Sequence, residues 1–502
     1  MPEPEKLKLF INGEFVSSTS EDFINVWNPS TGEAIAQSPR CGNDELEAAI
    51  GAAKKAYPAW RDVPAQKRAQ LFFRLRELIS KNMDELTMLV AKENGKAWNE
   101  AEGDVQKARE MTEIACGIPN MLIGESLMDA SSGYDTTLFR EPLGVFAGIA
   151  PWNFPAMIPM GWMSPLAIAC GNTFVLKASS YTPMTCLKFA ELYREAGFPD
   201  GVLNIVTCSR DVAETLLTHP DIKGVTLVGS TETGKRVYKT AAASGKRVQC
   251  LCEAKNHALV MNDAALTRTA AGIVNAAFGC AGERCMALSA VVAQEAIADR
   301  LVQELKRLCS MQRIGPAYDK KTNLGPVITR EHLESILEWI SRGVDEGADL
   351  VLDGRIAASG FDKGFFIGHT IFDKVTPGMS IGQREIFGPV LCIKRVKTFD
   401  EGIEIMNANP YANGSVIYTQ SGRLAREFVK RTDGGMVGIN VGIPVPVGVF
   451  PFSGHKQSFF GDLHCHGKDA VRFFTESKTV TAHWFDEQEM SQEHVSTWDG
   501  SL

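Results

Sequence analysis

No uninterrupted apolar run in this 502-residue chain is long enough to span a bilayer. The most apolar segment, "GVFAGIAPWNFPAMIPMGWMSPLAIACGNTFVL" at 144–176, is broken by Pro151, Pro155, Pro159 and Pro165, so core packing beneath a cleft is expected rather than a membrane span. The opening "MPEPEKLKLFINGEF" lacks both the basic start and the apolar stretch of a secretory signal, and the Arg and Ser of a transit peptide; the expectation is a cytoplasmic protein read from Met1. A positive excess is also missing. The formal net charge of −8 argues against nucleic acid as a partner, while a local cluster of Lys and Arg could still hold an anionic small molecule. The 12 cysteines lack the dense spacing of a disulfide framework and are expected to be mostly reduced. They also lack zinc spacing: His464-Cys465-His466 and Cys250-x-Cys252 each stand without a second cluster, and no metal is expected.

What is present is an ordinary globular composition, 44% hydrophobic and 22% charged with 45 Gly and 23 Pro, in a chain long enough for two or three domains. Residues 7–38 alternate in short runs broken by Asn-Gly and Pro, which predicts a strand meander. From Asn43 the period becomes 3.6, predicting a helix that stops at Pro58 and further helices through 65–92 and 98–118. Between 144 and 228, "GVFAGIA", "NTFVLKA", "GVLNIV" and "KGVTLVG" alternate with helical stretches at 160–170, after Thr182-Pro183 to Gly197, and at 211–217. A second alternating series follows at 256–455, with helices at 265–278, 295–309 and 330–346. Repeated strand-helix-strand units imply parallel, helix-covered sheets, an α/β fold. "SKTVTAHWF" reads as a last strand and the polar stretch after it as a loose end.

Three stretches could carry chemistry. Gly229-Ser230-Thr231-Glu232-Thr233-Gly234 follows a buried strand and opens a helix, where backbone N–H groups and the positive helix end suit a pyrophosphate. It is not the G-x-G-x-x-G fingerprint, and a plain strand-helix turn would look the same. Asn153 in "PWNFP" could donate its amide to a developing oxyanion, or make turn hydrogen bonds. Cys285 follows Arg284 in "FGCAGERCMALS"; a cation and backbone dipoles lower a thiol pKa, and the thiolate is the reactive form. Cys280 has no such neighbour and reads as a packed side chain.

Together "PWNFP", "GNTFVLKAS", "VTLVGSTETGKRV", "ERCMALS", "EIFGPVL" and "NPYANGSVIYT", in that order and spacing, resemble the aldehyde dehydrogenase superfamily over nearly the whole chain. "AGERCMALS", "GKRVQCLCEAKNHALVM", "AEGDV", "GINVGIPVPVGVFPFSG" and "PDGVLNIV" resemble its methylmalonate-semialdehyde dehydrogenase branch, whose members acylate coenzyme A. The resemblance implies a Rossmann-type NAD-binding domain at 1–122 and 146–254, an α/β catalytic domain at 255–455, and a small β oligomerisation segment at 123–145 and 474–502. It implies Cys285 as nucleophile, with Asn153 and the Cys285 backbone N–H as the oxyanion hole. Trp152, Lys177, Ser180, Gly229, Ser230, Glu385 and Phe387 would contact NAD, and Lys107 and Arg284 the substrate. A homo-oligomer, dimer or tetramer, is implied too, with the strand in "TESKTVTAHWF" exchanged between subunits.

The departures from that pattern are informative. Hydrolytic members carry a Glu four residues before the Lys of their "ELGGK" motif, and the matching position before Lys255 is Leu251. Leucine cannot activate water, so transfer to an external thiol is the favoured second step. Glu253 stands where the family usually has glycine; it is either a displaced base or a structural carboxylate. Ser180 replaces the Glu that usually holds the adenosine ribose, which leaves NADP open beside NAD. Lys107 replaces an arginine that helps grip the substrate carboxylate, a two-pronged fork exchanged for a point charge. The expected activity is NAD-dependent, coenzyme A-acylating oxidation of a short acidic semialdehyde, with loss of carbon dioxide from a β-carboxy aldehyde. The rivals are a hydrolytic dehydrogenase using Glu253, and a non-catalytic relative that keeps the fold.

Overall fold

The computed structural model describes residues 4–485 and 487–491. Its first sheet has eight strands in the order Phe459–Phe460, Arg247–Leu251, Ile222–Val228, Val145–Ile149, Thr173–Lys177, Leu203–Val206, Leu9–Ile11, Glu14–Val16. The five central strands are mutually parallel and the outer ones antiparallel. These central strands are buried on both faces, which is why "VFAGI", "TFVLK" and "LNIV" read as short apolar runs rather than alternating ones. Taken in chain order, the sheet grows outward from Val145–Ile149 in one direction and then, from Ile222–Val228, in the other. The reversal leaves a crevice beyond the carboxyl ends of those two neighbours, where open α/β sheets bind ligands.

A second sheet has seven strands in the order Asp349–Leu352, Thr370–Asp373, Val390–Val396, Ala290–Gln294, His257–Val260, Gly414–Tyr418, Met436–Ile439. All its pairings are parallel except that of the edge strand Asp349–Leu352. The expected helices at 265–278, 295–309 and 330–346 are Leu266–Phe278, Glu295–Ser310 and Arg330–Asp345. The segment after 455 returns to the first sheet through Phe459–Phe460.

Two local expectations need correction. The first helix runs Asn43–Arg61, through Pro58, because buried Trp60 fixes its last turn by donating Nε1–H to the Ile168 carbonyl at 3.0 Å. The stretch 160–170 is a wide turn of π-helix, Ile158–Met163, running into Ser164–Ala169; such insertions concentrate at functional sites. The strand Thr475–His483 pairs antiparallel along its whole length with Tyr134–Pro142 of its own chain. With Glu125–Ser131 these form a separate three-stranded sheet whose outer strand is exposed at every residue. Most of the expected loose end, from 492 onward, lies outside the described residues. No helix of the described residues is long and apolar enough to cross a membrane.

Candidate active site

The crevice at the reversal point holds a cavity of about 200 Å³. Its walls bring together eight of the residues singled out in the sequence: Trp152, Asn153, Gly229, Ser230, Glu253, Cys285, Glu385 and Phe387. Pro151, Val228 and Cys252 complete it. Lys177 and Ser180 stand outside the cavity wall, at and just past the carboxyl end of the neighbouring strand Thr173–Lys177. Burial pulls the Lys177 ammonium below its ordinary range.

Cys285 arrives on a loop that the sequence builds in steps. The helix Leu266–Phe278 ends at Gly279, and the chain turns through Cys280 and Ala281, both at φ +52°, and Gly282 at φ +73°. Gly282 is obligatory on two counts: its φ is left-handed, and a Cβ there would lie 2.1 Å from the Gly388 carbonyl oxygen. Half-buried Glu100 accepts the Cys280 N–H at 2.6 Å. Asn256 and Asn413 donate their side-chain amides to the Cys285 carbonyl at 2.8 and 3.2 Å. These anchors aim the Cys285 peptide while leaving its side chain at the cavity. Cys285 is half-buried, whereas every other cysteine is buried, Cys280 included.

The expectation of a lowered thiol pKa is not met in the protein alone. Burial first, and then the neighbouring Glu385 carboxylate, push the Cys285 thiol up to about 12, against the pull of backbone N–H groups and Arg284. The Arg284 guanidinium does not face the cavity. It donates to the carbonyls of Asn275 and Ala276, the latter at 3.1 Å, at the negative end of the helix Leu266–Phe278. Neither does it pair with Glu283, which is buried and accepts the Ile328 N–H at 3.0 Å.

Asn153 is buried opposite the Cys285 loop and donates Nδ2–H to the Glu283 carbonyl at 3.1 Å. An amide nitrogen carries two hydrogens, so one remains for an oxygen at the thiol. Its turn is held from behind. The Trp152 carbonyl accepts from Asn94 and Thr182 at 3.0 and 3.1 Å. Asp104 accepts the Met157 N–H at 2.7 Å and pairs at 2.8 Å with Lys96, whose ammonium lies 3.3 Å from the Phe154 ring centre. Removing one partner of so buried a pair would leave an uncompensated charge behind the turn.

The turn at Gly229–Gly234 was expected to present free N–H groups, but four are already used, Gly234 donating to the Ser230 carbonyl at 2.8 Å. Gly229 donates to the Leu251 carbonyl at 3.0 Å, Thr233 to the Ser230 hydroxyl at 3.3 Å, and Thr231 to the Glu253 carboxylate at 3.1 Å. What the helix Thr231–Ala243 lends the crevice is its positive end and exposed Ser230. The Glu253 carboxylate also accepts from the Tyr411 hydroxyl at 3.4 Å, so it closes a helix end while lining the cavity. Leu251 is buried in the apolar core at the end of its strand. Glu385 accepts the Ala254 N–H at 3.0 Å; burial pushes its carboxyl up to about 8. Phe387 sits at φ +61°, its ring edge-on to Trp152 with centroids 5.4 Å apart. The strain is held by His332, hydrogen-bonded to the Phe387 carbonyl at 2.7 Å.

Lys107 stands away from the cavity, paired with Glu110 at 2.6 Å. Among the described residues no three His, Cys, Asp or Glu side chains gather around one metal-sized point. His464 stacks on Phe459 and faces Asp469, while Cys465 and His466 are buried separately. Sequence reasoning passed over Asn256, Asn413 and Glu100. Asn256 and Asn413 lay inside quoted motifs, but an amide serving a backbone carbonyl has no signature apart from the fold that brings the two together.

A model of the aldehyde dehydrogenase family matches residues 15–480. The chain is 51% identical over 482 residues to malonate-semialdehyde dehydrogenase 2 of Geobacillus thermodenitrificans (strain NG80-2), covering 96% of this chain and 100% of that protein. Among solved structures it is similar to the methylmalonate-semialdehyde dehydrogenase of Oceanimonas doudoroffii, with a TM-score of 0.94 and 43% identity over 96% of this chain and 99% of the other. A protein of Sinorhizobium meliloti 1021, described as a methylmalonate-semialdehyde dehydrogenase and crystallised with NAD, has a TM-score of 0.95 at 43% identity, over 97% and 99% of the two chains.

Proposed function

The chain belongs to the aldehyde dehydrogenase family, and from that premise we propose that it oxidises a short acidic semialdehyde, of the malonate or methylmalonate kind, to an acyl-coenzyme A. The donor set of the crevice suits NAD. Glu385 offers a carboxylate to ribose hydroxyls, Lys177 and Ser180 flank the adenosine side, and Ser230 with the helix Thr231–Ala243 sets a positive end toward the pyrophosphate. Trp152 and Phe387 supply an apolar wall. NAD held there supplies the acceptor for hydride.

The chain's own groups do the rest. The Cys285 thiol gives up its proton to water, its thiolate adds to the aldehyde carbon, and the C=O electron pair moves to oxygen. That oxyanion accepts from Asn153 Nδ2–H and the Cys285 N–H. Loss of hydride from the adduct leaves an acyl thioester on Cys285. The sulfur of coenzyme A then attacks the acyl carbon, and the Cys285 thiolate departs. A β-carboxylate in the acyl thioester leaves as carbon dioxide, the C–C electron pair passing into the thioester enolate, which then takes up a proton from water.

The observation that carries transfer over hydrolysis is the state of the two carboxylates lining the cavity. Glu253 is bound by the Thr231 N–H and Glu385 by the Ala254 N–H, while Leu251 is packed in the core. Each carboxylate is thus committed through one oxygen to a backbone N–H, the position where hydrolytic relatives carry their base is a leucine, and an external thiol needs no water-activating base. The test follows NADH with malonate semialdehyde. Without coenzyme A, one equivalent per site in a single burst is expected; with it, steady turnover. Steady turnover without thiol overturns the proposal. The working form is proposed to be a homo-oligomer, because the sheet of Glu125–Ser131, Tyr134–Pro142 and Thr475–His483 leaves Leu127, Met128, Phe139 and Val480 exposed.

A further inference from the structure

A cavity of about 350 Å³ opens at Gly279, the root of the loop that carries Cys285, and it shares no residue with the dinucleotide crevice. Its size is that of small-molecule sites, which begin at about 300 Å³. His369 lines it, 5% exposed, with no hydrogen-bond partner for its ring among the described residues. The ring stands edge-on to buried Phe278, centroids 4.8 Å apart. Burial holds its imidazole down to about 4, so at neutral pH the ring is uncharged and offers one N–H and one bare nitrogen. Buried polar atoms are almost always satisfied, and one that is not calls for a water or a ligand.

The groups that share the cavity with His369 decide what would satisfy it. Asn99, Asn275 and Gln312 line it, and no group of the described residues hydrogen-bonds to their carboxamides. The Asn323 carboxamide accepts the Arg313 N–H at 2.9 Å through its oxygen and keeps both its own N–H groups. No Lys or Arg belongs to the wall, and its one carboxylate, half-buried Glu100, already accepts the Cys280 N–H at 2.6 Å. A ligand must therefore enter by an uncharged part, with donors and acceptors along its edge and apolar faces for Phe278 and Val274. A purine is built that way: carboxamides pair with its edge, and aromatic side chains lie against its faces. A sugar alone would leave the apolar wall unmatched. Cations for a phosphate adjoin the wall in the chain. Lys320 holds its ammonium 4.6 Å from the ring centre of Trp98, the residue before Asn99, and exposed Lys321 precedes Thr322 of the wall; neither is in an ion pair among the described residues.

We infer that this cavity is a purine-nucleotide site, separate from the dinucleotide crevice, with the base bound by His369 and the carboxamides and the phosphate by Lys320 and Lys321. A free nucleotide and the nucleotide end of coenzyme A share this chemistry. The test is equilibrium dialysis of AMP against the full chain saturated with NAD, so that the crevice is filled. One AMP per chain should bind, and ribose 5-phosphate should not displace it. His369→Phe should weaken AMP about tenfold or more, because it leaves the edge of the base unmatched. Gln312→Leu, at a half-buried position that does not threaten folding, should weaken it as well. Both variants should bind NAD as wild type does. Lys320→Met and Lys321→Met together should weaken AMP and leave adenosine unchanged. Displacement of AMP by an equal concentration of coenzyme A assigns the site to the co-substrate, and AMP held against coenzyme A assigns it to a free nucleotide. No binding of AMP to the NAD-saturated chain, displacement by ribose 5-phosphate, or undiminished binding in both His369→Phe and Gln312→Leu overturns the inference.

Discussion

Cys285 is half-buried beside Glu385 on the cavity wall, and burial and the carboxylate raise its pKa, to about 12. Below that value the thiolate fraction, which is the reactive fraction, grows tenfold for each pH unit. Alkylation of Cys285 by iodoacetamide in the absence of NAD is therefore expected to accelerate about tenfold per unit from pH 7 to 10. A rate that levels off near pH 7 would mean that the thiol is already ionised at rest. Glu253 poses the complementary question, because its carboxylate serves Thr231 and Tyr411 as well as the cavity. Glu253→Gln keeps one acceptor oxygen for the Thr231 N–H, so coenzyme A-dependent turnover should persist within about a factor of three, a change of under about 1 kcal/mol. Loss of steady turnover with the burst intact would instead make Glu253 a base. At this scale the sequence disclosed which residue types meet and missed where long side chains go. Cys285, Asn153, Glu385 and Phe387 are fixed by short motifs on tight loops. Arg284 could have faced the cavity from sequence position alone, and only the carbonyl ends of Leu266–Phe278 decide that it does not.

The helix Thr231–Ala243 sets one wall of the crevice, and its distance from the sheet depends on Gly234. A Cβ there would lie 2.2 Å from the sulfur of buried Cys252 on the far side of the helix contact. Gly234→Ala must push the helix outward or turn the thiol, a strain of about 1–3 kcal/mol by analogy with overpacked cores. Since Ser230 and Gly229 move with that helix, KM for NAD is expected to rise at least fivefold, with the melting temperature falling as well; an unchanged KM would show the helix start to be irrelevant to the dinucleotide. Elements of this kind were legible because apolar strands and amphipathic helices differ in period. The parallel strands between 145 and 228, and the helices near 265, 295 and 330, occur close to where periodicity predicts them. Boundaries were lost where tertiary contacts override local rules. Trp60 carries its helix past Pro58, and Ile158–Met163 widens into a π turn.

At the scale of the whole molecule, strand order was not legible, since nothing in a strand's own sequence names its neighbours. Order is what creates the crevice. Val145–Ile149 and Ile222–Val228 are distant in the chain and adjacent in the sheet, and Trp152 and Gly229 meet only for that reason. The projecting sheet raises the same issue in reverse, for its strands find one another within the chain yet find no core. Glu125–Ser131 is exposed at all seven positions, and Thr475–His483 shows mostly exposed residues. A sheet without a covered face is marginal in water, and exposed apolar patches mark association surfaces. Leu127 and Val480, 63% and 42% exposed, belong to that patch and support nothing inside the chain. Replacing both with Asp should therefore leave the fold intact while placing charges where a second copy would pack. Light scattering should give wild type a mass that is a multiple of 54.8 kDa, and the double variant 54.8 kDa itself. A wild-type mass of 54.8 kDa would remove the patch from assembly and require another account of its exposed apolar residues.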